Sequence, residues 1–233
     1  MTTAFVLAGG LGTRLRSVVS DVPKPMAPVE DRPFLEYLLK FWISQGISKF
    51  IISVSYMREN IINYFGNNYQ GVKVEYLIER DPLGTGGGLI KTANQMSDTF
   101  VVINGDTFFE ISLNELKLFK NKTKAEVVIA LFKSSDKGRY GQVLLNEINQ
   151  VKGFLKSDKY YSELSNGGVY LIDPNILNEN NYRFNSKCSL EDDILPTLIN
   201  LGSNVVGIEQ KGKFLDIGVP MDYKRAKEFL KIK

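Results

Sequence analysis

The sequence predicts an α/β fold with a doubly wound, mainly parallel sheet and a smaller antiparallel part. Strand-like and helix-like segments alternate through the first half of the 233-residue chain, an order typical of parallel strands joined by helices. Strand-like segments of the second half follow one another closely, which favours antiparallel pairing. Two strands of the first half end in glycine-rich or polar turns, so we expect a ligand beyond the carboxyl ends of the strands.

Each element of the first half has a local cause in the sequence. Thr3–Leu7 is an apolar run, predicted as a buried strand. Apolar residues at helical spacing predict a helix over 33–45, which Gly46 ends. The remaining elements predicted for this half are strands over 49–55, Val72–Ile78, 100–103 and 126–132, and helices over Arg58–Phe65, over 89–96 and after the capping box of Ser112 and Glu115.

The second half begins with the closely spaced strands Gln142–Leu145, Val151–Leu155 and 169–172. A helix over 189–201, strands over 205–208 and 213–217, and a terminal helix opened by Pro220 follow. No linker rich in proline, glycine or serine separates the two halves. We therefore predict a single domain over residues 1–233, with its two halves meeting near residue 135.

The composition excludes several classes of function. The net charge of +3 is small, and the short lysine clusters alternate with apolar residues, so nucleic-acid binding is not expected. The single cysteine, Cys188, excludes an internal disulfide, and the chain has no histidine to activate it as a nucleophile. We recognise no signal peptide and no apolar run near the ~18 residues of a membrane span. A cytoplasmic protein without membrane contact is the expectation.

A glycine-rich turn follows the first strand. Gly9, Gly10 and Gly12 have no side chains that would keep backbone N–H groups away from a ligand. Arg14 and Lys24 come shortly after them in the chain. Convergent N–H groups beside two cations suit a polyphosphate, so this segment predicts a phosphate-handling enzyme. The spacing matches neither the Walker sequence nor the dinucleotide-binding G-x-G-x-x-G turn.

Two sequence blocks, L-A-G-G-x-G-T-R-L over 7–15 and P-K-P-M over 23–26, resemble the signature of the sugar-nucleotidyltransferases. These enzymes are also called nucleoside-diphosphate-sugar pyrophosphorylases. The resemblance covers nearly the whole chain and implies the nucleotide-diphospho-sugar transferase fold. In that fold a Rossmann-like nucleotide-binding half, about 1–135, precedes a smaller sugar-side lobe, about 136–233. The implied reaction joins a nucleoside triphosphate and a sugar 1-phosphate into a nucleoside-diphosphate sugar and pyrophosphate.

The resemblance also implies catalytic, metal-binding and nucleotide-binding residues. Arg14 would stabilise the departing β,γ-phosphates, and Lys24 would bind the α-phosphate. Asp106 and Asp216 follow strands far apart in the sequence and would hold Mg²⁺, a hard cation usually bound by one or two carboxylates plus substrate phosphates. Either aspartate alone is also typical of a turn or a helix cap. The residues implied to bind the nucleotide are Leu7, Ala8, Gly9, Gly10, Gly12, Thr13, Glu79, Gly84, Thr85 and Gly86, the last three in a glycine-rich loop over 84–88.

Shorter blocks of the same resemblance imply the sugar side of the site. The residues implied to contact the sugar or its phosphate are Asn104, Gly105, Tyr140, Gly141, Asn166, Gly167, Gly168 and Glu191. Glu191 keeps a second interpretation, because the neighbouring Ser189 and Asp192 equally predict a helix cap.

The chain departs from the family in one block. The family usually has F-x-E-K before the strand that contains Asn166, whereas this chain has F-L-K-S-D-K over 154–159, without the glutamate. The lysine that neutralises the sugar phosphate would be Lys156 or Lys159, and the sequence leaves this choice open.

The substrates follow from resemblance within the family. The short chain and the S-L-E-x-D-I-L-P block look most similar to small bacterial guanylyltransferases, which use GTP and D-glycero-α-D-manno-heptose 1-phosphate to make GDP-heptose for capsule, S-layer or lipopolysaccharide. Mannose-1-phosphate guanylyltransferases and N-acetylmuramate-1-phosphate uridylyltransferases share these blocks, so their substrates remain alternatives. A non-catalytic subunit that senses sugar nucleotides is the alternative from another class. Apolar edge strands permit a homodimer.

Overall fold

The structure is a computed structural model that describes residues 1–10, 15, 17–134, 140–155, 162–178 and 187–230. Its strands are β1 (Thr3–Leu7), β2 (Pro28–Val29), β3 (Arg32–Pro33), β4 (Lys49–Val54), β5 (Asn68–Tyr69), β6 (Val72–Ile78), β7 (Phe100–Asn104), β8 (Thr107–Phe109), β9 (Val127–Lys133), β10 (Gln142–Leu145), β11 (Val151–Leu155), β12 (Leu164–Ile172), β13 (Val205–Glu209) and β14 (Phe214–Asp216). Its helices are α1 (Phe34–Ser44), α2 (Arg58–Phe65), α3 (Gly84–Ala93), α4 (Leu113–Thr123), α5 (Asn175–Asn178), α6 (Leu195–Asn200) and α7 (Pro220–Phe229), with a 3-10 turn over Lys24–Met26 and a π-helical turn over Leu190–Ile194.

The chain forms two compact units, each built from separate segments of the sequence. Unit 1 contains Met1–Pro82, Ile103–Phe108 and Lys213–Lys233. Unit 2 contains Leu83–Val102 and Phe109–Gly212. The single domain expected over residues 1–233 stays a prediction.

Unit 1 is built on parallel strands, as its apolar segments predict. β1 pairs with β4 in parallel, from Thr3 opposite Lys49 to Leu7 opposite Ser53, and β4 pairs in parallel with β6. The short β5 is antiparallel to β6. The carboxyl ends of β1, β4 and β6 therefore lie at the same edge of the sheet, where α/β proteins bind their ligands.

Helix α1 forms where the hydrophobic spacing predicts it. Phe34, Leu38 and Trp42 recur every four residues, and their side chains are buried, so one side of the helix packs into the core. The helix ends at Ser44, two residues before Gly46. Gly46 has a φ of +90°, a left-handed conformation that glycine adopts without steric cost.

Unit 2 contains the antiparallel strands predicted for the second half. β10 is antiparallel to β11 and β12, and β12 is antiparallel to β9. β13 pairs with β9 in parallel. β12 begins five residues earlier than the predicted strand over 169–172, and its register against β9 shifts between Asn166 and Tyr170. The α/β fold class, with its parallel and antiparallel parts, is confirmed.

Several elements differ from the prediction for physical reasons. The helix expected over 89–96 is α3, which begins at Gly84 and ends at Ala93. The helix expected over 189–201 starts as the π-helical turn and continues as α6. The strands β2, β3, β5 and β8 were not predicted, because two or three residues are too few to show an alternating pattern.

A two-stranded sheet of β8 and β14 joins distant segments of the sequence. Beside it, within unit 1, the N–H of Ile217 donates to the carbonyl of Asp106 at 3.1 Å. This backbone bond brings Asp106 and Asp216 onto neighbouring stretches of chain, although 109 residues separate them in the sequence.

Candidate active site

The turn after β1 is held by backbone bonds to its neighbours. The N–H of Ala8 donates to the carbonyl of Ser53 at 3.2 Å, and the N–H of Gly105 donates to the carbonyl of Leu7 at 3.0 Å. A Cβ on Gly105 would lie 2.8 Å from that carbonyl oxygen, closer than real Cβ contacts come. A side chain at position 105 would therefore push the two strand ends apart.

A buried carboxylate lies beside this turn. Glu79 and Ser53 are buried, and the Ser53 hydroxyl donates to the Oε1 atom of Glu79. A Cβ on Gly9 would lie 3.4 Å from the Ser53 hydroxyl oxygen and 3.8 Å from that Oε1 atom, whereas one on Gly10 would meet nothing within 4 Å. The structure thus brings Gly9 and Glu79 together, and Ser53 is a member of this cluster that the sequence analysis did not identify.

Five of the expected site residues lie outside the part of the chain that the structure describes. They are Gly12, Thr13, Arg14, Lys156 and Lys159. Their expected roles stay predictions.

One charge cluster of unit 1 joins Lys24, Asp106 and Asp216. The Nζ atom of Lys24 is 2.5 Å from Oδ2 of Asp106 and 3.7 Å from Oδ1 of Asp216. The Lys24 side chain is almost fully buried, while the carboxylates of Asp106 and Asp216 are 36% and 19% exposed. Lys24 lies in a 3-10 turn, Asp106 directly precedes β8, and Asp216 is the last residue of β14. A buried ammonium group is therefore neutralised by two partly accessible carboxylates.

This pair of carboxylates fits a hard divalent cation. The Lys24 ammonium group is a positive charge within 4 Å of both, so the two carboxylates already share one cation. Among the described residues, no group of three or more His, Cys, Asp or Glu side chains forms a complete protein cage for a metal. A site of two carboxylates completed by substrate phosphates is the arrangement that Mg²⁺ prefers.

Gly218 completes the surroundings of this cluster. Its N–H donates to Oδ1 of Asp216 at 2.6 Å. A Cβ at position 218 would lie 2.7 Å from Oδ1 of Asp216 and 3.1 Å from Nζ of Lys24. Gly218 was not among the expected site residues, although it is the glycine of the D-I-G-V-P sequence that starts at Asp216.

The side chain of Asn104 ends β7 with an unused acceptor. Its Oδ1 atom is buried and has no hydrogen-bond partner among the residues that the structure describes. A buried acceptor without a donor costs free energy, about 1–3 kcal/mol, unless water or a ligand satisfies it. A donor group on a bound molecule would therefore be favoured here.

The glycine-rich segment over 84–88 is the first part of a helix, not the loop that the sequence analysis expected. In unit 2 the N–H of Gly86 donates to the Cys188 carbonyl at 2.9 Å, and the N–H of Cys188 donates to the carbonyl of Leu83 at 3.0 Å. A Cβ on Gly84 would overlap the carbonyl oxygen of Cys188. These glycines let α3 start in close contact with the chain at residue 188, and their expected role in nucleotide binding stays a prediction.

A hydrogen-bonded cluster of unit 2 joins Asn166, Glu191 and Thr85, three of the expected site residues. Asn166 donates from Nδ2 to the hydroxyl of Tyr170 at 2.7 Å, and that hydroxyl donates to Oε1 of Glu191 at 2.8 Å. The Thr85 hydroxyl is 3.1 Å from Oε2 of Glu191. Burial, then the neighbouring Glu191 carboxylate, raises the pKa of Tyr170 well above its usual value, so the tyrosine stays a donor.

The helix cap predicted as the second interpretation of the segment around Glu191 also forms. The Ser189 hydroxyl accepts from the N–H of Asp192 at 3.0 Å, and the N–H of Ser189 donates to Oδ2 of Asp193 at 2.7 Å. Ser189 is therefore the N-cap of the π-helical turn. The two backbone N–H bonds of the cap go to Ser189 and Asp193, so the Glu191 carboxylate remains hydrogen-bonded to Tyr170.

The remaining expected sugar contacts lie along β12 and just before β10. The N–H of Asn166 donates to the carbonyl of Gly141 at 2.9 Å, and the ring of Tyr140 lies 5.2 Å from that of Phe132. A Cβ on Gly167 would lie 2.5 Å from ring atoms of Phe109. Gly168 has a φ of +69°. Position 167 thus requires glycine because a side chain would overlap Phe109. Position 168 favours glycine because of its left-handed backbone conformation.

Among the helices of the described residues, none is long and apolar enough to cross a membrane.

Comparison with known proteins gives consistent matches over the full length. The nucleotidyl transferase family matches residues 3–232. The D-glycero-alpha-D-manno-heptose 1-phosphate guanylyltransferase of Campylobacter jejuni is 40% identical over 220 residues, which cover 94% of this chain and 96% of that protein. The protein of the same name from Aneurinibacillus thermoaerophilus is 40% identical over 229 residues, 97% of each chain. A crystal structure of HddC from Yersinia pseudotuberculosis complexed with GMP-PN superposes with a TM-score of 0.84 at 33% identity, covering 99% of this chain and 100% of that one. These matches confirm the nucleotide-diphospho-sugar transferase fold.

Proposed function

Because this chain belongs to the nucleotidyl transferase family, we propose that it is a sugar-1-phosphate guanylyltransferase that uses GTP and D-glycero-α-D-manno-heptose 1-phosphate. Its products are GDP-heptose, a precursor for capsule, S-layer or lipopolysaccharide, and pyrophosphate. The two relatives named for this reaction, each 40% identical over almost their whole length, support the choice of substrates. The convergence of Lys24, Asp106 and Asp216 on one point is the structural observation that carries the proposal.

The reaction requires charge neutralisation more than proton transfer. A phosphate oxygen of the sugar 1-phosphate attacks the α-phosphorus of GTP, a new P–O bond forms, and the bond to the β-phosphate oxygen breaks in line as pyrophosphate leaves. The attacking phosphate monoester has a second pKa near ~6, so it is largely dianionic at neutral pH and needs no general base. This agrees with a chain that contains no histidine.

Each cation of the proposed site has one task. Lys24 binds the α-phosphate, and Arg14 stabilises the charge that develops on the departing β,γ-phosphates. Asp106 and Asp216 would hold Mg²⁺, which supplies positive charge to the phosphates when bound. Lys156 or Lys159 holds the attacking phosphate.

The buried Glu79 supports GTP as the nucleotide. The N1–H and N2 amino groups of guanine are adjacent donors, and a carboxylate is an acceptor-only group whose two oxygens match such a pair of donors. Uracil presents one N–H between two carbonyl groups at the corresponding edge, which suits a carboxylate less well. Leu7, Ala8, Gly9 and Gly10 would contribute backbone groups to the same nucleotide.

Groups of unit 2 would bind the sugar. The half-buried carboxylate of Glu191 favours hydroxyl donors, which a heptose offers in number. In unit 1, Asn104 keeps its predicted role as a sugar contact, which its unused acceptor supports. Tyr140, Gly141 and the β12 glycines remain the further sugar contacts of the proposal.

Initial rates of pyrophosphate release test the proposal. The purified protein is supplied with Mg²⁺, with GTP or UTP, and in turn with heptose, mannose and N-acetylmuramate 1-phosphates. We expect the highest kcat/KM for GTP with D-glycero-α-D-manno-heptose 1-phosphate. A higher value for another pair would replace the substrate assignment, and binding of sugar nucleotides without turnover of any pair would favour a sensing subunit.

Two further parts of the proposal concern the environment of the enzyme. A reaction that consumes GTP implies a cytoplasmic location. The homodimer allowed by apolar edge strands is tested by light scattering of the purified protein, where a mass near twice 26.3 kDa supports it.

A further inference from the structure

Tyr170 is the fully buried centre of the unit 2 cluster that contains two expected sugar contacts. None of its surface is accessible, yet its hydroxyl contacts the polar ends of Asn166 and Glu191. In the sequence this tyrosine is only one apolar position of the strand predicted over 169–172. The directions of these hydrogen bonds determine which polar atoms of the cluster can still bind a ligand.

The direction of each bond follows from the chemistry of the groups. An amide nitrogen can only donate, so the Tyr170 hydroxyl accepts from Nδ2 of Asn166 and directs its single proton to Oε1 of Glu191. The amide oxygen of Asn166 accepts from the N–H of Gly168 at 3.0 Å. The Asn166 amide is thus oriented from both ends by the protein itself.

The second oxygen of Glu191 is oriented in the same way. The Thr85 hydroxyl accepts from the N–H of Leu190 at 2.8 Å, so its proton is available to Oε2 of Glu191 at 3.1 Å. The Ser189 hydroxyl lies 3.3 Å from the same Oε2 atom and also 3.3 Å from Oδ2 of Asp192, so these two carboxylates share its proton. Three hydroxyl groups from three segments of unit 2 therefore surround one carboxylate.

We infer that Tyr170 is a positioning residue that, together with Thr85, orients the Glu191 carboxylate so that its remaining lone pairs accept hydrogen bonds from hydroxyl groups of the sugar. A carboxylate accepts hydrogen bonds and donates none. The complementary ligand group is a hydroxyl donor, and a phosphate would be repelled. Asn166 then acts mainly through Tyr170. This inference rests on the proposed function, because it assigns the sugar of that reaction to Glu191.

Tyr170→Phe tests the inference, because it removes the hydroxyl and keeps the ring that fills the core. We expect the KM for the sugar 1-phosphate to rise about tenfold, as for the loss of one hydrogen bond to a charged group. The KM for GTP should stay within about twofold, since the tyrosine orients only the sugar-binding carboxylate. Tyr76→Phe is the matched control: its hydroxyl donates to the Gly66 carbonyl at 2.7 Å in unit 1, and both KM values should stay unchanged.

A double-mutant cycle separates positioning from a general loss of packing. If Tyr170 acts through Glu191, then Tyr170→Phe adds little to the sugar KM of Glu191→Gln. Ser189→Ala removes a hydroxyl beside Oε2 of Glu191 together with the N-cap of the π-helical turn, and it should raise the same KM by a smaller factor. Ser112→Ala, which removes the N-cap of α4, is its control and should leave the sugar KM unchanged. This pair tests the inference even if Tyr170→Phe folds poorly.

Failure of the positioning role of Tyr170 can be distinguished from failure of the proposed function. Equal changes of both KM values, or a full effect of Tyr170→Phe in the Glu191→Gln background, would overturn the positioning role while the wild-type enzyme remains active. No turnover by the wild-type protein with any substrate pair would overturn the proposed function and this inference together.

Discussion

Lys24 is held as the counter-ion of two carboxylates before any substrate arrives. The ammonium group contacts Asp106 and lies within 4 Å of Asp216, and its side chain is nearly buried. A metal ion at the same carboxylates would lie close to a positive charge, so the lysine and the metal would compete for one pair of anions. Binding of the α-phosphate by Lys24 would remove this competition.

Lys24→Met therefore has two expected effects of opposite sign. The kcat of the proposed reaction should fall about 10²–10³-fold, as for other single donors that stabilise a charged transition state. Binding of Mn²⁺ to the nucleotide-free protein, followed by electron paramagnetic resonance, should become tighter. Lys49→Met, which removes a lysine paired with Glu75 at 2.9 Å, is the control that leaves both quantities unchanged. Weaker Mn²⁺ binding in Lys24→Met would contradict the competition.

Glu79→Gln tests whether the buried carboxylate selects guanine. Glutamine replaces one acceptor oxygen with a donor that opposes the donors of guanine, so kcat/KM for GTP should fall about 10- to 100-fold. The value for UTP should change much less, and the preference for GTP over UTP should fall by the same factor. Glu75→Gln, a surface carboxylate paired with lysines, serves as the control. An unchanged GTP-to-UTP ratio would remove Glu79 from the base site.

At the scale of elements, a second buried carboxylate joins α1 to the segments that follow. Glu36 is buried; Lys40 lies 2.5 Å from its Oε1 atom, and the Tyr64 hydroxyl of α2 donates to its Oε2 atom. Burial tends to raise the pKa of Glu36, but the hydrogen bonds from Lys40 and Tyr64 outweigh it, and the net pKa lies below the usual value. Burial and Glu36 together raise the pKa of Tyr64 to about 12.

This lowered pKa predicts a pH-dependent contribution to stability. A carboxylate with a lowered folded pKa stabilises the protein above its unfolded pKa near 4.5, and the contribution disappears as the pH falls through the folded pKa. Glu36→Gln should lower the free energy of unfolding by about 1–3 kcal/mol at pH 7. Thermal unfolding at pH 7, 5 and 3 should show the difference from wild type shrinking only below pH 4.5. Glu59→Gln, at an exposed pair with Arg58, is the control; a difference that stays constant with pH would contradict the assignment.

The elements that the sequence predicts well are those whose pattern is long and local. Helix α1 has apolar residues every four positions and a terminal glycine, and its bounds agree within one residue with the expected 33–45. Helix α3 shows where this reasoning fails. Its first turns consist largely of glycine, which has low helix propensity, and the contact with Cys188 that stabilises them is distant in the sequence.

Site residues that belong to a recognisable sequence motif could be predicted from the sequence. Residues whose role depends on a contact between distant segments could not. Lys24, Asp106 and Asp216 lie together in unit 1, as the family motifs imply, while their catalytic and metal-binding roles stay predictions. The Tyr170 hydroxyl looks like an ordinary core side chain in the sequence. Only the folded β12 brings it to Glu191, so no local pattern could reveal the interaction.

At the scale of the whole molecule, ligand binding should appear as increased thermal stability. GTP with Mg²⁺ at about 100 times its Kd adds about 2.7 kcal/mol, which raises the Tm of a chain this size by about 5–10 °C. Removal of Mg²⁺ with EDTA, or the substitution Asp216→Asn, should abolish most of this increase in differential scanning fluorimetry. Asp98→Asn, at an exposed position, should retain it. A Tm increase that does not depend on Mg²⁺ would contradict the role of the carboxylates.

The order of segments in unit 1 has a consequence for biosynthesis. Its first 82 residues are translated before any of unit 2, whereas Lys213–Lys233, with the strand that carries Asp216, follow all of unit 2. A growing chain therefore lacks the second carboxylate until unit 2 has been synthesised. A metal site between residues 106 and 216 would form only after Asp216 has been added, and translation products that stop before this residue should lack it.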